Sequence, residues 1–162
     1  DPEQELRRMF ARGDDLPLPD LAALPPELAE FESPPGTYFD AYPILIATRT
    51  SLEAMQEAHA ERKPETVIDM RRFRPNLVLD DVLADGVLET SWSGRWLAIG
   101  DCVLKLEIPC PRCIMTTLPF DGLDKDPSIM RTLVQAFEGN FGVYASIEMS
   151  GSVRIGDDAK LL

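Results

Sequence analysis

Two of the chain's three cysteines, Cys110 and Cys113, fall in residues 109–117, PCPRCIMTT, with Arg112 directly before Cys113. A guanidinium beside a thiol favours thiolate, the form that binds soft metals and attacks sulfur or carbon. Several uses of such a CxxC pair are open. A structural zinc needs four ligands, and only Cys102 and His59 remain to complete the set, so zinc would have to be shared between two chains. A thioredoxin-like dithiol needs its first cysteine at a helix N-terminus, where the dipole stabilises thiolate. Pro109 and the strand-like residues 114–117 speak against that. What is left is a single-cysteine metal or sulfur site, or two buried cysteines packed as small apolar groups.

A second group of chemical residues is Arg71, Arg72 and Arg74 in RRFRPN. On an alternating strand Arg72 and Arg74 face one side, and two guanidinium groups on one side suit a phosphate. The competing use is a solvated edge that pairs with this chain's many carboxylates. Asn76 adds an amide that both donates and accepts, as recognition of a heterocycle edge requires. His59, the only histidine, lies among Glu and Lys and is expected on the solvated face of a helix.

The elements that must position these groups follow from pattern. A chain of 162 residues that is 44% hydrophobic can bury the core of one domain. The expected division is a covering segment over 1–42, acidic and Pro-rich, and a folded domain over 43–162. Residues 3–12 read as a short helix ended by Gly13, and a helical turn is expected near 26–31. Strands are expected at 44–47, 67–70, 77–79, 96–99, 103–108, 114–117 and 141–149. Ser51 is expected to cap a helix running to about residue 62, with Leu52, Met55 and Ala58 on one face. Asp126-Pro127 opens a helix to about residue 137 with Ile129, Met130, Leu133 and Phe137 inward. Asp121-Gly122 is a turn, and Gly151 and Gly156 flank a closing hairpin. Many short strands with few helices predict a mainly β, α+β fold built on a β-barrel.

The net charge of −12 argues against nucleic-acid backbones and anionic membranes. No apolar run approaches the roughly 20 residues of a membrane span. An odd cysteine count is a poor disulfide framework, so a reducing, cytoplasmic setting is expected. The first residue is Asp1 rather than Met, which suggests that the native start lies elsewhere.

Taken in order, RRFRPNLVLD, SWSGRWLAIGD, PCPRCIMTT, FGVYASI and GSVRIGDDAKLL resemble the MOSC domain, the molybdenum-cofactor sulfurase C-terminal domain. The likeness is to the branch that includes the mitochondrial amidoxime-reducing component and its bacterial relatives, and it runs from about Pro43 to the end. The resemblance implies a molybdenum cofactor, molybdopterin, with Cys113 as molybdenum ligand and catalytic centre. Arg112, Arg74 and Asn76 would seat the pterin, and the guanidinium of Arg72 would join them. Thr48, Thr50 and Ser51 match the family's Ser or Thr positions, with Ser51 first because a helix N-terminus offers free amides to a phosphate. Molybdopterin brings two dithiolene sulfurs, and soft thiolate suits such a site. The family's usual Lys-Ser pair near the start has no counterpart here. No ferredoxin-type cysteine run follows, so electrons are expected from a separate carrier, a ferredoxin or flavin reductase.

The resemblance thus implies an oxidoreductase that removes oxygen from small N-hydroxylated substrates. A second function of another class is a sulfur carrier, with a persulfide on Cys113 that serves molybdenum-cofactor sulfuration after a partner desulfurase. A third is a cofactor-binding module without turnover.

Overall fold

The structure is a computed structural model that describes residues 2–20, 41–80 and 89–162. The expected turn at 26–31 lies outside the described residues. The centre is one curled, half-barrel sheet of six strands in the order β2-β1-β5-β4-β3-β6. β1 (Ile44–Thr48) runs parallel to β2 (Leu77–Leu79) and antiparallel to β5 (Asn140–Met149). β4 (Cys102–Pro111) pairs antiparallel with β5 and with β3 (Trp96–Ile99). β6 (Ala159–Leu161) adds antiparallel to β3. The mainly β, α+β expectation holds. The closing hairpin does not form, because β6 is a single edge strand on β3 rather than half of a local pair.

Among the described residues three helices accompany the sheet: α1 (Pro2–Met9), α2 (Arg49–Ala60) and α3 (Pro127–Phe137). Asp126 caps α3 by accepting from the Ser128 N–H, and Pro127 stands in the first turn, as the sequence predicts. For α2 the cap is Thr48, not Ser51. The Thr48 hydroxyl accepts from the Ser51 N–H, because the chain is still extended at Thr48 and helical from Arg49. The buried face of α2 is Ser51, Met55 and His59, spaced by four residues, so His59 is fully buried rather than solvated.

Two apolar clusters form. One holds Ile46, Trp92, Leu97, Leu104, Leu106 and Val143. The other packs α2 and α3 through Ala47, Met55, Phe73, Ile129, Leu133 and Phe141. Ile46 and Ala47 enter different clusters by ordinary alternation. Phe141 and Val143 also enter different clusters, although they lie two apart. Gly142 between them has φ +85°, which breaks the alternation. An added Cβ there would stand 2.9 Å from both the Ile46 carbonyl oxygen and Leu45 Cδ1.

Two expected strands do not form: residues 67–69 are irregular and lead into a 3₁₀ turn, and 114–117 is itself a 3₁₀ turn. Met70–Arg72 forms the first turn, capped by the Asp69 carboxylate, and Ile114–Thr117 the second. Apolar, β-branched composition suggested strands in both, but each is a corner whose turn is closed by side chains. Arg72 and Arg74 therefore do not alternate on a strand; Arg74 sits beyond the turn at φ +53°.

Candidate functional site

The Cys113 corner is built from the end of β4. Arg112 N–H donates to the Gly139 carbonyl at 2.8 Å, which extends the pairing one step past Pro111. Cys113 then heads the Ile114–Thr117 turn. Thr116 closes it twice on the Cys113 carbonyl, from N–H at 3.2 Å and Oγ1 at 3.1 Å. Thr117 Oγ1 donates to the Ile114 carbonyl at 2.7 Å. Both threonines are buried, so the segment's Thr-Thr pair shapes the corner. Cys113 itself is half-buried, and its thiol makes no hydrogen bond with another described residue.

Arg72 holds this corner from inside. The residue is buried, 7% exposed. Its guanidinium donates to the carbonyls of Thr116 and Leu118 at 3.3 Å each and of Asp124 at 2.6 Å. Arg71 lies outside, ion-paired with Asp69 and Asp121. Arg74 is exposed, and its guanidinium has no hydrogen bond or ion pair with another described residue; its backbone N–H donates to the Arg71 carbonyl at 3.2 Å. The three arginines of one motif therefore do three different things.

Arg112 joins the corner to the FRPN loop. One guanidinium nitrogen donates to the Phe73 carbonyl and another meets Cys110 Sγ, each at 2.8 Å. The guanidinium carbon lies 5.9 Å from the centre of the Phe73 ring. The side-chain hydrogen bonds of Arg112 are to Cys110 and Phe73, not to Cys113. Burial works against its charge, but Cys110, Tyr144 and Cys113 raise its pKa above the ordinary arginine value. Its Nε is buried without a partner among the described residues. Asn76 stitches β2 to β1, accepting from Leu45 N–H at 2.7 Å and donating its own N–H to the Leu45 carbonyl at 2.8 Å.

Thr48 and Ser51 meet at the start of α2, both fully buried. The Thr48 hydroxyl lies 2.9 Å from Ser51 Oγ and 3.0 Å from Glu89 Oε2. Ser51 Oγ also donates to Glu89 Oε2. Glu89 is fully buried, and its Oε1 has no partner among the described residues. Sequence reading missed Glu89, since one acid among 28 carries no local signal of burial.

A separate buried network joins α2 to α3. His59 Nδ1 lies 3.0 Å from Thr132 Oγ1, and Nε2 lies 3.5 Å from Ser128 Oγ and 3.9 Å from Asp126 Oδ2. Lys63 Nζ reaches Asp126 at 2.9 Å.

Residues 34–160, the span that contains the FRPN loop, the Cys113 corner and all of the sheet except Leu161, match the family model of the MOSC domain. The chain belongs to the MOSC domain family. This MOSC domain is 34% identical over 139 residues to mitochondrial amidoxime-reducing component 1 of Mus musculus, covering 77% of this chain and 38% of that protein. It is 35% identical over 135 residues to mitochondrial amidoxime reducing component 2 of Homo sapiens, covering 74% and 37% respectively. The chain thus spans little more than a third of the length of these relatives. The molybdenum cofactor sulfurase of Bombyx mori is 34% identical over 92 residues, 56% of this chain and 10% of that protein. In fold the MOSC domain is similar to YiiM from Geobacillus stearothermophilus, with a TM-score of 0.52 at 15% identity over 74% of this chain and 53% of that one.

Proposed function

We propose that this MOSC domain holds a molybdenum cofactor through Cys113 and reduces small N-hydroxylated substrates with electrons from a separate carrier protein. The observation that carries the reading is the Cys113 corner. A reachable thiol without a competing hydrogen bond heads a turn that Thr116, Thr117 and Arg72 hold in place. The kinship with amidoxime-reducing components supports the reaction class.

The residues present fit such a group. The donor set needs one soft ligand from the protein, because the dithiolene supplies the others. Arg74 has a guanidinium to spare for an anionic ligand, and Arg112 has a buried Nε without an acceptor. Arg74, Asn76 and Arg112 would seat the pterin, and Thr48 and Ser51 would meet its phosphate. Arg72 would act from behind, keeping the cysteine turn from shifting. The cofactor, when bound, supplies the two-electron chemistry that cleaves an N–O bond. The chain's part is to present the Cys113 sulfur on a turn that does not shift. Ile114 and Met115, 45% and 60% exposed, would flank that thiol with apolar surface. We take 43–162 as the functional domain, 1–42 as a segment covering it, and the cytoplasm as its setting. No helix among the described residues is long and apolar enough to cross a membrane.

Cys113→Ala is expected to abolish molybdenum retention and amidoxime reduction together. Elemental analysis and single-turnover assays check this, and full turnover in the variant overturns the proposal. The kinship with a molybdenum cofactor sulfurase favours a second reading, a persulfide carrier on Cys113. It requires an added 32-Da sulfur on Cys113 after incubation with a cysteine desulfurase, which mass spectrometry reads directly.

A further inference from the structure

We propose that Glu89 is an internal occupant of an anion site at the amino end of α2, which a phosphate monoester takes over when it binds. The proposal deepens the reading above and rests on its placement of a cofactor phosphate at Thr48 and Ser51.

α2 begins Arg49-Thr50-Ser51 and has no acid in its first turn. A helix of this length concentrates partial positive charge at that end, and acids commonly balance it. Here the balance comes from 38 positions away, as the Glu89 carboxylate settles on the Thr48 and Ser51 hydroxyls. Arg49 stands at the first helical position, its charge paired with Asp80 at 2.6 Å. The end of α2 is therefore positive by its dipole, lined by two buried hydroxyls, and already filled by an anion.

Glu89 fills it imperfectly. Both hydroxyls converge on Oε2, and Oε1 is buried without a donor among the described residues. A buried unpaired acceptor is costly. A phosphate has oxygens enough to take both hydroxyls and helix amides at once. Glu89 is also placed to leave. It is the first residue of the short turn Glu89–Trp92, and the far end of that turn is anchored by Trp92 in the core. The carboxylate can swing out while the indole stays.

The test uses the whole chain without molybdenum, with methyl phosphate and inorganic phosphate as probes at constant ionic strength. In wild type, titration by NMR should move the Ser51 and Glu89 amide resonances together with one saturating Kd. In Glu89→Gln both probes should bind at least about tenfold tighter, because a like charge has been removed from the site. Ser51→Ala placed on Glu89→Gln should reverse the gain. Equal or weaker binding in Glu89→Gln, binding of inorganic phosphate without methyl phosphate, or no saturable shift at Ser51 overturns the proposal. If Glu89→Gln unfolds, the wild-type titration decides alone: Ser51 shifting without Glu89 refutes displacement. The titration needs neither molybdenum nor turnover, so failure of the molybdenum reading and failure of this one are separable.

Discussion

Cys110 and Cys113 lie three positions apart in sequence but in different environments. Cys110 is fully buried against Arg112, whereas Cys113 is half-buried with a free thiol. A thiol reagent added to native protein is expected to modify Cys113 first, and Cys102 and Cys110 only on unfolding. Mild oxidation is expected to give no Cys110–Cys113 disulfide, since the extended chain between them separates the sulfurs. Mass mapping of alkylated and oxidised protein checks both. Arg72→Ala should cost about 3 kcal/mol, because three carbonyls lose the cation that they share. Urea unfolding measures it. Arg72→Lys should recover only part of the loss, because an ammonium lacks the planar fork.

The α2–α3 junction makes stability depend on pH. Burial holds the His59 pKa below its ordinary 6.5, although Asp126 pulls the other way, and Lys63 and Arg62 lower it further against Glu65. The unfolded chain therefore takes up a proton that the folded one resists. Stability should fall as pH drops below about 6.5 and level off once the folded pKa is passed. Urea midpoints between pH 8 and pH 5 should show this fall, and His59→Gln should flatten it. Asp126 behaves at lower pH. Burial pushes its pKa up, but bonds from Ser128 and Lys63 outweigh that and hold it below 3.8. Its contribution is present above that value and is lost as pH falls through the folded pKa.

Elements with strong local chemistry were legible before the fold was known. Asp126-Pro127 specified α3, and apolar runs specified β1, β3, β4 and β5. Misreadings occurred where distant contacts decide. The segments 67–70 and 114–117 look like strands, but side chains and the Arg72 staple fold the second into a corner. His59 looks solvated among Glu and Lys, but its partners, Thr132 and Ser128, lie about 70 residues away. In the candidate site the motif residues were visible by type. Their division of labour was not, because it depends on which way each guanidinium turns.

At the scale of the molecule, two apolar clusters share one sheet but contain no common residue. Leu106→Ala in one and Leu133→Ala in the other should each cost about 2–5 kcal/mol, and the double variant should come within about 0.5 kcal/mol of the sum. Denaturant unfolding of the single and double variants checks it.

The sheet order has a consequence for the newborn chain. β5 sits between β1 and β4, and Ile44 pairs with Ala145 across most of the sequence. A ribosome therefore releases β1 and β4 well before the strand that joins them. Until β5 emerges, each offers an open row of backbone donors and acceptors, the condition under which chains pair with one another. A chain stopped after Gly139 should accumulate in the insoluble fraction, whereas one carrying β5 should stay in solution, and sedimentation of the two after synthesis in a cell-free extract would tell them apart.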